Sequence, residues 1–87
     1  MAQSPLKWTE VNSSNVQALA YDPKTETLAV KFHNGGIYSY HDVEPGVLEN
    51  VANAPSVGKA FNTMVKLRYS YLKWFDEADL ERHLATR

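Results

Sequence analysis

Apolar and polar positions along the middle of the chain follow two periods in turn, first two residues and then between three and four. From Thr27 to His33 the alternation is strict, with Leu28, Val30 and Phe32 on one side and Ala29, Lys31 and His33 on the other, as a half-buried strand requires. Ile37 to Val43 can run as a strand too, and Asn34-Gly35-Gly36 between the two segments is a hairpin signal because Asn and Gly tolerate positive φ. Val16 to Tyr21 has the length of a third strand. It is preceded by the turn formers Asn12-Ser13-Ser14-Asn15 and followed by Asp22-Pro23-Lys24-Thr25, in which Pro sets φ at the second turn position. These three segments predict an antiparallel meander.

The hairpin register is open between two arrangements. If Asn34 and Gly35 alone form the loop, Phe32 lies opposite Ile37, and Tyr38 and Tyr40 share the outward face with Ala29 and Lys31. If Gly36 joins the loop in the left-handed position of a bulge, Phe32 faces Tyr38, Val30 faces Tyr40, and the tyrosines line the core. A slip of one residue exchanges every side chain between faces, so this turn decides whether Tyr38-x-Tyr40 is a stacking platform or packing. The pattern favours the core arrangement, which gathers five apolar or aromatic residues on one face and leaves Lys31, Ser39 and His41 outside.

Beyond Val43 the period becomes helical. Glu44-Pro45-Gly46 is a helix entrance with Pro in the first turn, and Val47, Leu48, Val51 and Ala52 follow on one side until Pro55 ends the helix. Ser56 then caps a second helix, in which Val57, Ala60, Phe61, Met64 and Val65 form an apolar stripe and Gly58, Lys59, Asn62, Thr63 and Lys66 take the other positions. Tyr69-Ser70-Tyr71-Leu72 alternates as a strand does and is read as an edge strand or an extended surface segment. Asp76 caps an acidic-first helix, Glu77 to Ala85, with Ala78, Leu80 and Leu84 apolar. At the other end, residues 1–11 are read either as an extended arm that buries Trp8 against the sheet or as a disordered tail. The expected fold is α+β: a three-stranded antiparallel meander covered on one face by two short helices, with a C-terminal helix packed alongside. The expected organisation is an arm over 1–10, a domain over 11–71 and a C-terminal helical extension over 72–87.

Composition narrows the function classes. Eighty-seven residues make one domain, and without cysteine it has no disulfide framework, thiolate nucleophile or Cys-based zinc site. No basic stretch leads into an apolar run and no segment is long enough to span a bilayer, so the expectation is a soluble, cytoplasmic protein. A formal net charge of −1 argues against a wholly basic nucleic-acid binder, but the charge is unevenly spread. No acidic residue lies between Asn50 and Phe75, while Lys59, Lys66, Arg68 and Lys73 are interleaved with Phe61, Tyr69, Tyr71, Trp74 and Phe75. Cations hold phosphates and aromatic faces stack on bases, so this mixture suits single-stranded RNA. The candidate RNA-binding residues are Lys59, Asn62, Lys66 and Arg68 for phosphate, and Tyr69 and Tyr71, with Tyr38 and Tyr40 on the alternative register, for stacking. The competing structural reading has Phe61 in the core, Tyr69 and Tyr71 packed on the sheet and the lysines solvated.

Catalysis finds little support. Ser56-Val57-Gly58-Lys59 lacks P-loop spacing, and no Ser or Thr follows the lysine. His33, His41 and His83 are dispersed along the chain, so no metal is expected, and no serine has evident His and acid partners. No cofactor is implied. A second class of function comes from Leu72, Trp74, Phe75, Leu80 and Leu84, more apolar surface than a helix on so small a sheet is expected to bury. Trp74, Leu80 and Leu84 would then serve a protein partner or a second copy.

Taken in order, Val11-Asn12-Ser13-Ser14-Asn15-Val16, Tyr21-Asp22-Pro23, the Leu28/Val30/Phe32 alternation, Gly35-Gly36-x-Tyr38-x-Tyr40, Asp42-Val43, Ser56-x-Gly58-Lys59-x-Phe61-Asn62 and Tyr69-x-Tyr71 resemble the KTSC domain. That module is found at the C-terminus of some lysyl-tRNA synthetases and as a stand-alone bacterial or phage protein. The resemblance spans about residues 11–71 and places Tyr38-x-Tyr40 at the hallmark of the family. It implies a domain of uncharacterised role, with RNA as a ligand class by association with the synthetase rather than by mechanism. The synthetase's catalytic role does not transfer, because its body is not in this chain.

Overall fold

The computed structural model describes residues 6–85. In chain order the elements are β1 (Thr9–Glu10), β2 (Val16–Asp22), β3 (Thr27–Phe32), β4 (Ile37–Tyr40), α1 (Val47–Ala52), α2 (Val57–Phe61), a π-helical turn (Asn62–Lys66), β5 (Tyr71–Trp74) and α3 (Glu77–Ala85). The strands form one antiparallel sheet in the order β1-β2-β3-β4-β5. The class is α+β as expected, but the sheet has five strands rather than three. The N-terminal arm supplies β1, with Thr9 opposite Leu19 and Glu10 opposite Ala18. The aromatic segment after the helices supplies β5, with Tyr71 opposite Tyr40 and Trp74 opposite Ile37. A strand of two residues carries no readable period, so β1 is invisible to pattern analysis.

The hairpin matches neither expected arrangement, closing a three-residue loop one residue earlier in the chain. Phe32 N–H donates to Gly36 O and Gly35 N–H to Phe32 O, both at 2.9 Å, so the loop is residues 33–35. The left-handed position, at φ +92°, is Gly35 and not Gly36. Asn34 Oδ1 accepts the Gly36 N–H at 2.9 Å, and this side-chain turn closes the loop one residue early. Val30 therefore pairs with Tyr38 and Leu28 with Tyr40, two residues from the expected core pairing. An offset of two preserves the face, so the tyrosines lie on the side of Leu28 and Val30, as the core arrangement predicts.

Helices α1 and α2 and the π turn cover that face. They enclose Val16, Leu19, Leu28, Val30 and Tyr40 with Val47, Val51, Val57, Phe61 and Val65. Ser56 caps α2 as expected, its Oγ accepting the Lys59 N–H at 3.4 Å. The helix then widens: Leu67 N–H donates to Asn62 O, five residues back, at 3.2 Å. Thr63 Oγ1 donates to the Lys59 carbonyl at 3.0 Å where the widening starts, the kind of side-chain competition that loosens a helical ladder.

The opposite face is covered as well, which corrects the expected single-faced sheet with a helix alongside. Helix α3 lays Leu80 and Leu84 on Ala20, Ala29 and Ile37, with Leu6, Trp8 and Trp74 around them. The small side chains of Ala20 and Ala29 make the room. Asp76 Oδ1 caps the helix through the Asp79 N–H at 2.8 Å. Lys31 pairs with Glu77 at the start of α3 and lies 4.7 Å from the Trp8 ring. Ser39 is fully buried, accepting Trp74 Nε1–H at 2.7 Å and lying 3.1 Å from His41 Nε2. Lys31, Ser39 and His41 thus belong to a second layer rather than to an open surface. Leu80 and Leu84 are buried within the chain, and a partner could reach them only by opening this layer. Among the described residues no helix is long and apolar enough to cross a membrane.

Two phenols are held neutral by the main core. Tyr21 O–H donates to Val43 O at 2.6 Å, and burial, followed by the nearby Glu26 and Asp22, raises its pKa. Tyr40 is pushed up to about 12, by burial first and then by Tyr38 and Tyr71.

Leu80→Ala is expected to lower the unfolding free energy by about 2–5 kcal/mol in urea titration, the cost of a cavity beneath α3; a solvated Leu80 would give a change within about 0.5 kcal/mol. Because the pKa of Tyr40 rises from 10.0 to about 12 on folding, the folded state favours the neutral phenol. Its contribution is complete below pH 10 and is lost as pH climbs through 12. Unfolding free energies measured across that window should fall for the native chain and fall less for Tyr40→Phe.

Candidate functional site

Where α2 runs into the π turn, five aromatic rings form a closed circuit at the end of the sheet. Phe32 meets Tyr38 edge-on at 5.3 Å, Tyr38 meets Tyr71 at 5.6 Å and Tyr71 meets Tyr40 at 5.8 Å. Tyr40 then meets Phe61 at 5.5 Å, and Phe61 returns to Phe32 at 5.6 Å. Each ring follows from a local rule. The hairpin register puts Tyr38 and Tyr40 on the helix-covered face, the β4–β5 pairing sets Tyr71 opposite Tyr40, and the apolar stripe of α2 lowers Phe61 onto Phe32 and Tyr40. Gly36 keeps the near end open, since a Cβ there would stand 3.1 Å from the Tyr38 ring.

The rings wall a groove of about 360 Å³, lined also by Asn15, Val16, Gly58, Asn62 and Lys66. Asn62 and Lys66 are four residues apart in the π turn and so reach the same rim. No carboxylate lines the groove. Lys73 adds a second cation, with Nζ 6.0 Å from the centre of the Tyr38 ring. Burial and its tyrosine neighbours keep the Tyr40 hydroxyl protonated, so it offers a neutral donor in the wall. Tyr71 is exposed and Tyr38 half-buried, whereas Tyr40 and Phe61 are buried. The circuit therefore has a packed half and an open half.

Of the residues singled out from sequence, Tyr38, Tyr40, Asn62, Lys66 and Tyr71 converge on this groove. Lys59, Arg68 and Tyr69 do not line it. Lys59 is exposed on α2, with its N–H donated to the Ser56 cap. Arg68 is exposed beyond the π turn. Tyr69 packs half-buried against the main core, near Tyr21. Phe32, Phe61 and Asn15 join the site without having been nominated, the first two because period alone reads them as core. Lys73 could have been nominated from sequence, since it lies two residues beyond Tyr71 and so on the same face of a strand. Among the described residues no cluster of His, Asp and Glu is placed to hold a metal ion, and His33 Nε2 lies 2.9 Å from the Ser13 carbonyl.

The KTSC domain model matches residues 12–69, which hold the hairpin, both helices of the main core and the groove wall as far as Lys66. An uncharacterized protein of Stutzerimonas stutzeri is 35% identical over 69 residues, covering 79% of this chain and 96% of its own length. A lysine–tRNA ligase of Nostoc punctiforme is 38% identical over 58 residues, 67% of this chain, which spans only 10% of the ligase. The crystal structure of a KTSC domain protein from Yersinia pestis is similar with a TM-score of 0.74 at 28% identity, covering 79% of this chain and 97% of that one. With the family match extending over most of the chain and a solved relative sharing its architecture, this chain belongs to the KTSC domain family.

Proposed function

We propose that this chain is a non-catalytic binding domain that holds single-stranded RNA in the aromatic groove. The observation that carries the reading is the make-up of that groove: a circuit of rings with one open half, cations at its rim and no carboxylate in its lining. Aromatic walls alone would also suit a quaternary ammonium guest. Lys66 and Lys73 oppose such a guest and favour one that joins a planar face to an anion, as a nucleotide does. The volume falls at the lower end of the ~300–1,000 Å³ usual for small-ligand sites, in keeping with one base and its sugar.

In this reading Tyr71 and Tyr38 stack on the base, Asn62 bonds to its edge, and Lys66 and Lys73 hold flanking phosphates. Tyr40 and Phe61 form the floor. Lys59 and Arg68, outside the groove, attract a longer strand without touching the bound base. The ligases among the relatives are named for a tRNA, which supports the same ligand class by association only. A cytoplasmic location fits an RNA ligand and a chain without cysteine.

Amide-shift titration of labelled protein with short single-stranded RNA tests this directly. Shifts at Tyr38, Asn62, Lys66 and Tyr71 should saturate and should weaken steeply with salt. Tyr71→Ala should cost about 1–3 kcal/mol of affinity, the value of one stacked base, and Lys66→Ala should reduce the salt slope by about one. The absence of any shift at millimolar RNA would overturn the proposal.

A further inference from the structure

The large apolar side chains most exposed among the described residues fall in one short stretch: Leu67 at 73%, Tyr71 at 57%, Leu72 at 49% and Phe75 at 90%. The stretch contains β5, an edge strand of the sheet. His41 N–H donates to Ser70 O at 3.0 Å. By the alternation of an antiparallel ladder, Leu72 and Trp74 then also point their backbone groups at β4, while Tyr71 and Lys73 point theirs outward. Edges are ordinarily blunted by brevity, charge or cover. The opposite edge, β1, has only two residues. β5 has four residues and carries a single charge, Lys73, flanked by Leu72 and Trp74.

We propose that β5 pairs antiparallel with β5 of a second copy of this chain, around a two-fold axis between the two Leu72 residues. The outward groups of Tyr71 and Lys73 require these two positions to be the hydrogen-bonded ones, and centring on Leu72 sets Tyr71 opposite the partner's Lys73. Centring on Lys73 would oppose two ammonium groups, which destabilises a cross-strand pair. The same register repeats the Tyr71–Lys73 pairing on either side of the axis, so a cation meets an aromatic ring at both ends of an isologous interface. Phe75 N–H lies 3.4 Å from Asp79 Oδ2 and bounds the pairing at its C-terminal end. A two-fold axis perpendicular to the sheet keeps both grooves on one face and brings the partner's Lys73 beside the Tyr71 ring. The assembly surface is thus the strand edge, and the buried stripe of α3 takes no part.

Sedimentation of the full chain from micromolar to millimolar concentration tests the pairing. The mass should rise with concentration from 9.8 kDa toward twice that value. Lys73→Pro removes an outward N–H and leaves the β4 bonds in place, so the variant should keep the native circular dichroism. It should also raise the dissociation constant by about tenfold, since the axis counts each lost bond twice. Leu72→Glu places two like charges at the axis, should do the same, and carries the test alone if the proline variant fails to fold. A native chain that stays monomeric throughout would overturn the proposal, as would a dimer that both folded variants leave unweakened.

Discussion

The pair of hydrogen bonds that close the loop between Phe32 and Gly36 governs the rest of the molecule. They set the parity of β4, and parity decides which residues meet which layer. With Gly35 left-handed and Asn34 bonded to the Gly36 N–H, Tyr38 and Tyr40 turn toward α1 and α2, while Ile37 and Ser39 turn toward α3. A slip of one residue would press the two phenols into the layer built on Ala20 and Ala29, and would place the Ser39 hydroxyl beneath Phe61 with no indole to bond. Neither layer could then close.

The groove exists because the helical cover is short. Helix α1 has six residues and α2 five before the π turn, enough to bury Tyr40 and Val30 but not to reach across Tyr38 to β5. Packing and access are therefore graded along one set of rings. Tyr40 and Phe61 belong to the core and contribute to stability, whereas Tyr71 stands at the open side and contributes little burial. A substitution at the buried end therefore acts chiefly on folding, and one at the open end leaves the fold largely intact.

The charge behind the net value of −1 is unevenly placed about the sheet. The acidic residues Asp76, Glu77, Asp79 and Glu81 accompany α3, where Glu77 is paired with Lys31 and Asp79 lies 3.5 Å from Arg82. Lys66 and Lys73 face the groove on the other side. The sheet holds these two sets apart, with the carboxylates of α3 behind a layer of low dielectric.

Local chemistry by itself determined much of this protein. Strict alternation at Leu28, Val30 and Phe32, the capping residues Ser56 and Asp76, the helix Glu77–Ala85 and the basic, acid-free stretch from Asn50 to Phe75 were all legible, because each rests on neighbours in sequence. The resemblance carried in the ordered motifs was legible for the same reason. Only the tertiary structure decided the hairpin pairing, since Asn34-Gly35-Gly36 supports several loops and the choice depends on one side-chain hydrogen bond. Only it placed α3 on the second face, because Ala20, Ala29 and Ser39 read as a weakly polar surface until Leu80 and Trp74 are set upon them. The groove is likewise a product of tertiary structure. Its rings come from β3, β4, α2 and β5, and no period in the chain relates Phe32 and Phe61 to Tyr71; long-range strand pairing alone brings them within ring contact.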